Sequence, residues 1–405
     1  MIKNLTSVGA APSPPKTKKA GQKHYRVSEA DLPELSFAGQ LIRSADQLEP
    51  LLEPWRRLLD VSIRPNSFFD PDFLIPAIRH LGDANVSVLV IDAAQRVDPL
   101  GPRVICGLLP VIKKKFYGIP ISCLEIWKHD QCFDSTPLIR YDCATEVLEF
   151  IFEFLAEEMN TNLISMNTVA GEGAIANLLT DNFYRNSRTV FHRDEFTRSC
   201  FRPMCDGETY IKTKVSKNTR KGTRRLSRKL AFQGELVTEV STDCSNQWIE
   251  EFLNLESAGW KGQTGTSIAS DQATRQFFCE MTSRMLNSNR LIISRTSFDD
   301  RPISMFVDLI HQGRGAHFKT AFDESFGEYS PGLITELANI HRLHQSNIEF
   351  VDSCADPDHS MINRVWPDRV RFQSLVIAIR GPISRLAVST FPLMQFLSCI
   401  FKWKK

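Results

Sequence analysis

The 405-residue chain has ten cysteines but no CxxC pair, and nine histidines but no HExxH. Scattered cysteines in a chain this long predict a reducing compartment rather than a disulfide framework. His341 and His344 lie three apart on an expected helix, yet no carboxylate or cysteine joins them at ligand spacing, so no metal site is expected. No segment reaches the ~20 apolar residues of a membrane span. The nearest is "LAVSTFPLMQFLSCIF" (386–401), broken by Pro392 and followed by "KWKK". It reads either as a segment docked on the fold or as a peripheral membrane contact with flanking lysines. Residues 1–24 are rich in Pro, Lys and small residues and have no apolar h-region. No secretory leader is expected there, and residues 1–35 read as a disordered basic arm. The expected location is cytoplasmic, at the inner membrane face if the tail docks on lipid.

Net charge is also small, at +2. Residues 209–234 nevertheless hold nine Lys/Arg and no Asp/Glu, which leaves the rest of the chain at −7. So local a charge argues against a broad nucleic-acid surface. Its centre is "SKNTRKGTRRLSRKL" (216–230). On a helix, Lys217, Arg220, Lys221, Arg224, Arg225, Arg228 and Lys229 share one half of the circumference, while Thr219, Thr223, Leu226 and Leu230 take the other. Such a face is either solvated and paired with acidic neighbours or built to capture phosphate, which Arg forks match bidentately. Nucleic acid and a membrane surface are lesser alternatives, and no aromatic residues are interleaved as a single-strand platform requires.

Periodicity places a strand at 234–240, helices at 246–260 and 273–286, and strands at 290–297, 302–310 and 315–322. A helix opens at Ser330 and Pro331, followed by a strand at 348–354, a short helix at 359–366 and a strand at 371–380. The first half repeats the order. Helices lie near 45–59 and 71–81, strands at 87–93, 103–112 and 120–128, a helix at 144–159, a strand at 162–169, a helix at 173–182 and a strand at 187–194. The order α-α-β-β-β-α-β-α-β thus occurs twice.

That order resembles the GCN5-related N-acetyltransferase (GNAT) fold. The blocks "FLNLESAGWKGQTGT" (252–266), "HFKTAFDESFGEYSPG" (317–332) and "VDSCADPDHSMINRVW" (351–366) resemble the CelD-type, BioF2-like acetyltransferase domain, as do the basic opener and "NSFFDPDFLIPAIRH" (66–80). This family is grouped with the Fem aminoacyl-ligases, which carry two such folds in tandem. The resemblance implies an α/β mixed-sheet protein of two tandem acyltransferase-like folds. They would span residues 36–200 and 234–382, joined by a basic helical connector (201–233) and followed by an apolar tail (383–405). It also implies acetyl-CoA or another acyl-CoA as co-substrate, held where the fourth and fifth strands of the second fold splay. The acceptor would be a small or glycan-linked molecule related to exopolysaccharide, such as cellulose, or to the envelope. The superfamily's glycine-rich pyrophosphate cradle is replaced by "GEYSPG" (327–332), which leaves an acyl carrier protein or aminoacyl-tRNA open as donor and a non-catalytic adaptor open as a rival class. The matching loop of the first copy, 129–142, has no glycine, so that copy is expected to be a structural partner.

The implied roles fall on named residues. Glu256 or His359 would act as general base. Tyr329, flanked with Asp323 around "ESFGE", would protonate the leaving thiolate. Lys319, Ser330, Pro331 and Gly332 would hold the donor, with alternation sending His317, Lys319 and Ala321 to one face. Lys217, Arg220, Arg224 and Arg228 would meet acceptor phosphate. Trp260 would stack on a ring, Lys261 would sit on a flexible Gly262–Gly265 loop, and Asp352 would contact substrate from the end of the fifth strand. Each has a plainer alternative: a surface carboxylate, a helix-start histidine, a tyrosine under a cap or a core tryptophan.

Overall fold

The computed structural model describes residues 35–95, 102–116, 121–241, 246–345 and 348–402. All but Leu35 of the expected amino-terminal arm, and residues 403–405 of the tail, lie outside them. The first half runs β1 (Leu35–Ile42), α1 (Ala45–Leu48), α2 (Leu52–Asp60), α3 (Pro71–Leu81), β2 (Val86–Gln95), β3 (Val104–Lys115), β4 (Ser122–Ile126), β5 (Leu138–Ile139), α4 (Ala144–Glu158), β6 (Leu163–Ala170), α5 (Gly173–Arg185) and β7 (Val190–Phe201). Helices α6 (Gly207–Lys214) and α7 (Lys217–Ala231) connect it to the second. That half runs β8 (Leu236–Ser241), α8 (Asn246–Ala258), α9 (Trp260–Gln263), α10 (Gln272–Asn287), β9 (Leu291–Phe298), β10 (Arg301–His311), β11 (Arg314–Phe322), α11 (Pro331–Gln345), β12 (Phe350–Asp352) and β13 (Asp368–Ala378), and α12 (Pro382–Lys402) follows.

The repeated order is present as far as the fifth strand of each copy, but only the first copy has an α-helix before its last strand; both copies have a leading strand. In the first copy that strand, β1, is not predicted from "LSFAGQLI". Gly39 weakens the strand signal, and only the fold shows its purpose: a Cβ there would lie 2.7 Å from the Phe154 ring of α4. The expected helix at 359–366 is a single 3-10 turn at Ile362–Arg364, bounded by Pro357 and Pro367 and too short to nucleate. Its apolar residues Ile362, Val365 and Trp366 are instead pinned in a buried cluster with Phe201 and Ile340.

All strands join one mixed sheet in the order β1-β2-β3-β4-β6-β13-β7-β12-β11-β10-β9-β8, with β5 on β3. Read from either end the order is the same, because the halves exchange their last strands. β13 lies between β6 and β7, and the end of β7 pairs with β12 through Val351↔Phe201 and Asp352↔Cys200. Residues Phe372 and Leu375–Ala378 of β13 are buried, as suits a central strand covered on both faces. Where α3 meets α10, Phe73 packs edge-on against Phe277, and Arg284 pairs with Glu49 and Asp72.

The two copies differ where their fourth and fifth strands diverge. In the first, β4 meets β6 only at Leu124↔Ile164 and Glu125↔Ser165. The chain then fills the gap with its own residues. The Ser135 amide donates to Thr168 O at 3.0 Å, and the Ala170 amide donates to Thr136 Oγ1 at 2.9 Å. Leu138–Ile139 then resumes pairing on β3. In the second, β11 meets β12 only at residues 314–316. The β12-facing edge from His317 to Phe322 forms no ladder. A bulge at Phe318, where the register with β10 jumps from Lys319 to His317, bends the strand away.

On α12, Ala387, Val388 and Phe391 pack against Phe116, Cys123 and Val376, while Ile383, Leu386 and Leu393 are exposed. Among the described residues no helix is long and apolar enough to cross a membrane.

Candidate active site

A cavity of about 120 Å³ lies beside the open edge of β11, lined by Glu256, Gly259, Trp260, Lys261, Thr320, Phe322, Glu324 and His359. The helical spacing of α8 carries Glu256 inward together with Ile249, Phe252 and Leu253, so this carboxylate is only 4% exposed. Its charge is met locally: Lys261 Nζ donates to Oε1 at 2.8 Å, and the Ile268 amide donates to Oε2 at 2.8 Å. Lys261 Nζ also donates to Thr320 O at 3.1 Å, tying the α8–α9 corner to β11. The expected flexible loop is therefore anchored. Gly262 permits the tight corner, since a Cβ there would lie 1.8 Å from Ser257 O.

Trp260 is 53% exposed at the mouth of the cavity, its amide donating to Glu324 Oε1, so it is not a core anchor. His359 is exposed on the opposite lip. Its Nδ1 accepts from the Ile362 amide at 3.4 Å, the helix-start bond expected of it, and this leaves the proton of a neutral ring on Nε2.

The bulge corrects the expected alternation on β11. His317 turns under α11 to Asp308, while Lys319 turns the other way and sets its ammonium 5.2 Å from the ring centres of Phe133 and Phe318. Burial first, and then the Lys261 charge, bring the Lys319 pKa down to about 8. Phe133 belongs to the gap-filling excursion of the first half, so that half helps to enclose the Lys319 ammonium. Sequence reasoning missed Phe133, because its contact with Lys319 is set by tertiary structure alone.

Four expected residues lie elsewhere. Tyr329 is buried, with its hydroxyl accepting from Gln233 Nε2 at 3.0 Å at the end of α7, away from the cavity. Asp323 caps the 3-10 turn of residues 324–329 through the Ser325 amide and pairs with Arg301. Asp352 spends both oxygens on Arg198, at 2.7 and 2.6 Å, in a buried bidentate pair. Ser330 does not take the extended N-cap geometry: it is left-handed (φ 53°, ψ 57°) just before Pro331, a conformation costing about 1–3 kcal/mol in a non-glycine residue. Pro331 starts α11 as expected, and beyond it Met361 Sδ lies 3.1 Å from where a Cβ on Gly332 would be.

The basic segment is helical as expected, capped by Ser216 and buried through Thr223 and Leu230. Lys217, Arg220 and Arg224 line a separate, larger groove of about 670 Å³ between α6, α7 and α11. Arg228 is exposed and lies outside that groove. His341 lines it too, whereas His344 is held by Ile340 O and the Met204 amide. Lys229 alone of the seven basic residues pairs with a carboxylate, that of Glu328, among the described residues.

Residues 217–359 match the family model of an acetyltransferase (GNAT) domain. The fold is similar to that of the crystal structure of FemX, with a TM-score of 0.56 and 9% identity over 87% of this chain and 100% of FemX. It is also similar to that of a conserved protein of unknown function from Bacteroides thetaiotaomicron, with a TM-score of 0.51 and 11% identity over 81% of this chain and 97% of that one. No curated protein matches the sequence. The tandem GNAT-like architecture is thus established, and a GNAT domain coincides with the half whose strands stay apart.

Proposed function

We propose that the protein is an acyltransferase. Its second half holds the pantetheine arm of an acyl thioester along the free edge of β11 and passes the acyl group to an amine or hydroxyl of a sugar-containing or envelope-related acceptor. The observation that carries this reading is the divergence of β11 from β12 after three paired residues, beside a cavity lined by Glu256 and Lys261, whose charges both act on the neighbouring Lys319. The first half cannot offer the same site, because residues 134–136 occupy the corresponding gap.

In this reading the acceptor attacks the thioester carbonyl carbon. A C–N or C–O bond forms, and the C–S bond breaks. Glu256 takes the acceptor's proton, its charge already organised by Lys261 and the Ile268 amide. The Lys319 ammonium faces the oxyanion of the tetrahedral intermediate from a desolvated position, where such a charge acts most strongly. The departing thiolate accepts a hydrogen bond from His359 Nε2–H and takes its proton from solvent, so His359 stands where the sequence had placed Tyr329. Trp260 offers its exposed face to an acceptor ring.

The test is thiol release from acetyl-CoA or acetyl-pantetheine with a panel of amino sugars and sugar alcohols as acceptors. Turnover is expected, and Glu256→Gln should lower kcat by about 10²–10³-fold with the fold intact by circular dichroism. Full activity in Glu256→Gln would remove that residue from the chemistry. No turnover or binding of any thioester would favour a non-catalytic adaptor.

A further inference from the structure

The 670 Å³ groove between α6, α7 and α11 is not used by the chemistry above. Its floor is apolar: Ile211 of α6 and the stripe Ile334, Leu337 and Ala338 of α11. Its rim carries Lys212, Lys217, Arg220, Lys221 and Arg224 against the single carboxylate of Glu208. Among the described residues none of these five cations has an ion-pair partner, and Arg220 Nε is buried without a hydrogen bond. Five cations held side by side without partners repel one another, so a solvated, self-neutralised face does not account for them.

The spacing says what fits. The four cations of α7 recur at i, i+3, i+4 and i+7, spread over ~10 Å of helix axis, more than one phosphate spans. The stripe on α11 has the same i, i+3, i+4 rhythm. A ligand that answers both is an amphipathic helix with carboxylates along one flank and apolar residues below, laid between two helices. A bilayer presents a flat face, whereas this floor is recessed.

The near end of the groove reaches Ser227 and Ile334, one turn from the start of α11. The turn before α11 offers a nucleotide few close-approach backbone groups. "GEYSPG" offers only Gly327 and Gly332, and Met361 stands against Gly332. A diphosphate with its adenosine needs several close backbone N–H groups, whereas a protein-borne phosphopantetheine arm brings a single phosphodiester.

We propose that the α6–α7–α11 groove docks the acidic helix of an acyl carrier protein, which delivers its thioester arm past the first turn of α11 into the cleft. This rests on the acyltransferase reading and names its donor.

The experiment compares thiol release from an acylated, fatty-acid-type acyl carrier protein, from the matching acyl-pantetheine and from acyl-CoA. It uses the full chain and the double variant Lys212→Glu/Lys221→Glu, whose two side chains are exposed and outside the cleft. The carrier protein should be the better donor, with kcat/KM falling about ten-fold or more in the double variant and falling steeply with salt. Turnover of acyl-pantetheine should be unchanged within about two-fold. Turnover of the pantetheine thioester with no preference for the carrier, or equal loss on all donors, overturns the docking proposal and leaves the acyltransferase reading standing. So does charge-dependent binding to anionic lipid vesicles without binding to the carrier. No turnover of any thioester overturns both.

Discussion

Lys319 shows how one residue is tuned by its surroundings. An ordinary lysine stays charged to about pH 10.4. Here burial, with Lys261 nearby, brings the pKa to about 8. If the ammonium stabilises the oxyanion, the rate must fall as pH rises through about 8, two units earlier than for a surface lysine. Lys319→Met should lower kcat by about 10²-fold and remove that alkaline limb, and Lys319→Arg should keep part of the activity while also losing it. A pH–rate profile of the three proteins decides this, and identical profiles would remove Lys319 from the mechanism. Gly262 is tested by geometry instead. Gly262→Ala cannot keep the α8–α9 corner with a Cβ 1.8 Å from Ser257 O, so Lys261 should leave Glu256 and activity should fall with modest loss of stability. An unchanged Tm and rate would show that the corner yields.

At the scale of elements, α11 is held to β10 and β11 by a buried polar cluster. His317 Nδ1 lies 2.5 Å from Asp308 Oδ1, Asn339 donates to Asp308, and Glu336 is fully buried with Tyr210 and Arg342 also facing the cluster. Burial pushes the Glu336 pKa up to about 7. Burial opposes charge on His317 as well, but the Asp308 carboxylate outweighs it and raises that pKa. Both folded values exceed the unfolded ones. From about pH 4.5 upward these two groups therefore retain protons in the folded protein that the unfolded chain has released, and their contribution to stability falls as pH rises through that window. In calorimetric Tm values from pH 5 to 8, the native protein should lose stability relative to Glu336→Gln, which mimics the protonated side chain. Parallel curves would show that Glu336 titrates alike in both states.

Across the whole molecule, exchange of β7 and β13 makes the two copies interdependent. Each central strand is paired on both sides by strands that the other half helps to complete. The α3–α10 contact, with Arg290 on the buried Asp70, adds a second seam. A chain ended at Trp366 would lose β13 and leave β6 and β7 with exposed hydrogen-bonding edges, so it should aggregate, and separate halves should not fold. Single-tryptophan variants retaining Trp55 or Trp366, reporting on first and second halves, should unfold in one coincident urea transition. Two separated transitions would contradict the interdependence.

Local rules made much of this protein legible without coordinates. Hydrophobic period gave α3, α4, α8, α10 and α11, and charge spacing gave the basic face of α7, because those signals lie within one turn or one strand. The order of elements, read with the quoted motifs, pointed to a duplicated acyltransferase fold and placed Glu256, Trp260, Lys261 and His359 in blocks that do meet at one cavity. Other features depended on residues far apart in sequence. The bulge that turns Lys319 away from His317, the Arg198 fork that takes Asp352 from substrate, and the Gln233 bond that takes Tyr329 all needed distant partners. The exchange of last strands, and the filling of one gap while its twin stays open, needed them too. The sequence by itself set which segments became helices and strands and where charge gathers, since these follow from neighbours along the chain. Only tertiary packing decided which strands sit side by side and which side chains still face an opening, because those outcomes depend on contacts between residues more than two hundred positions apart.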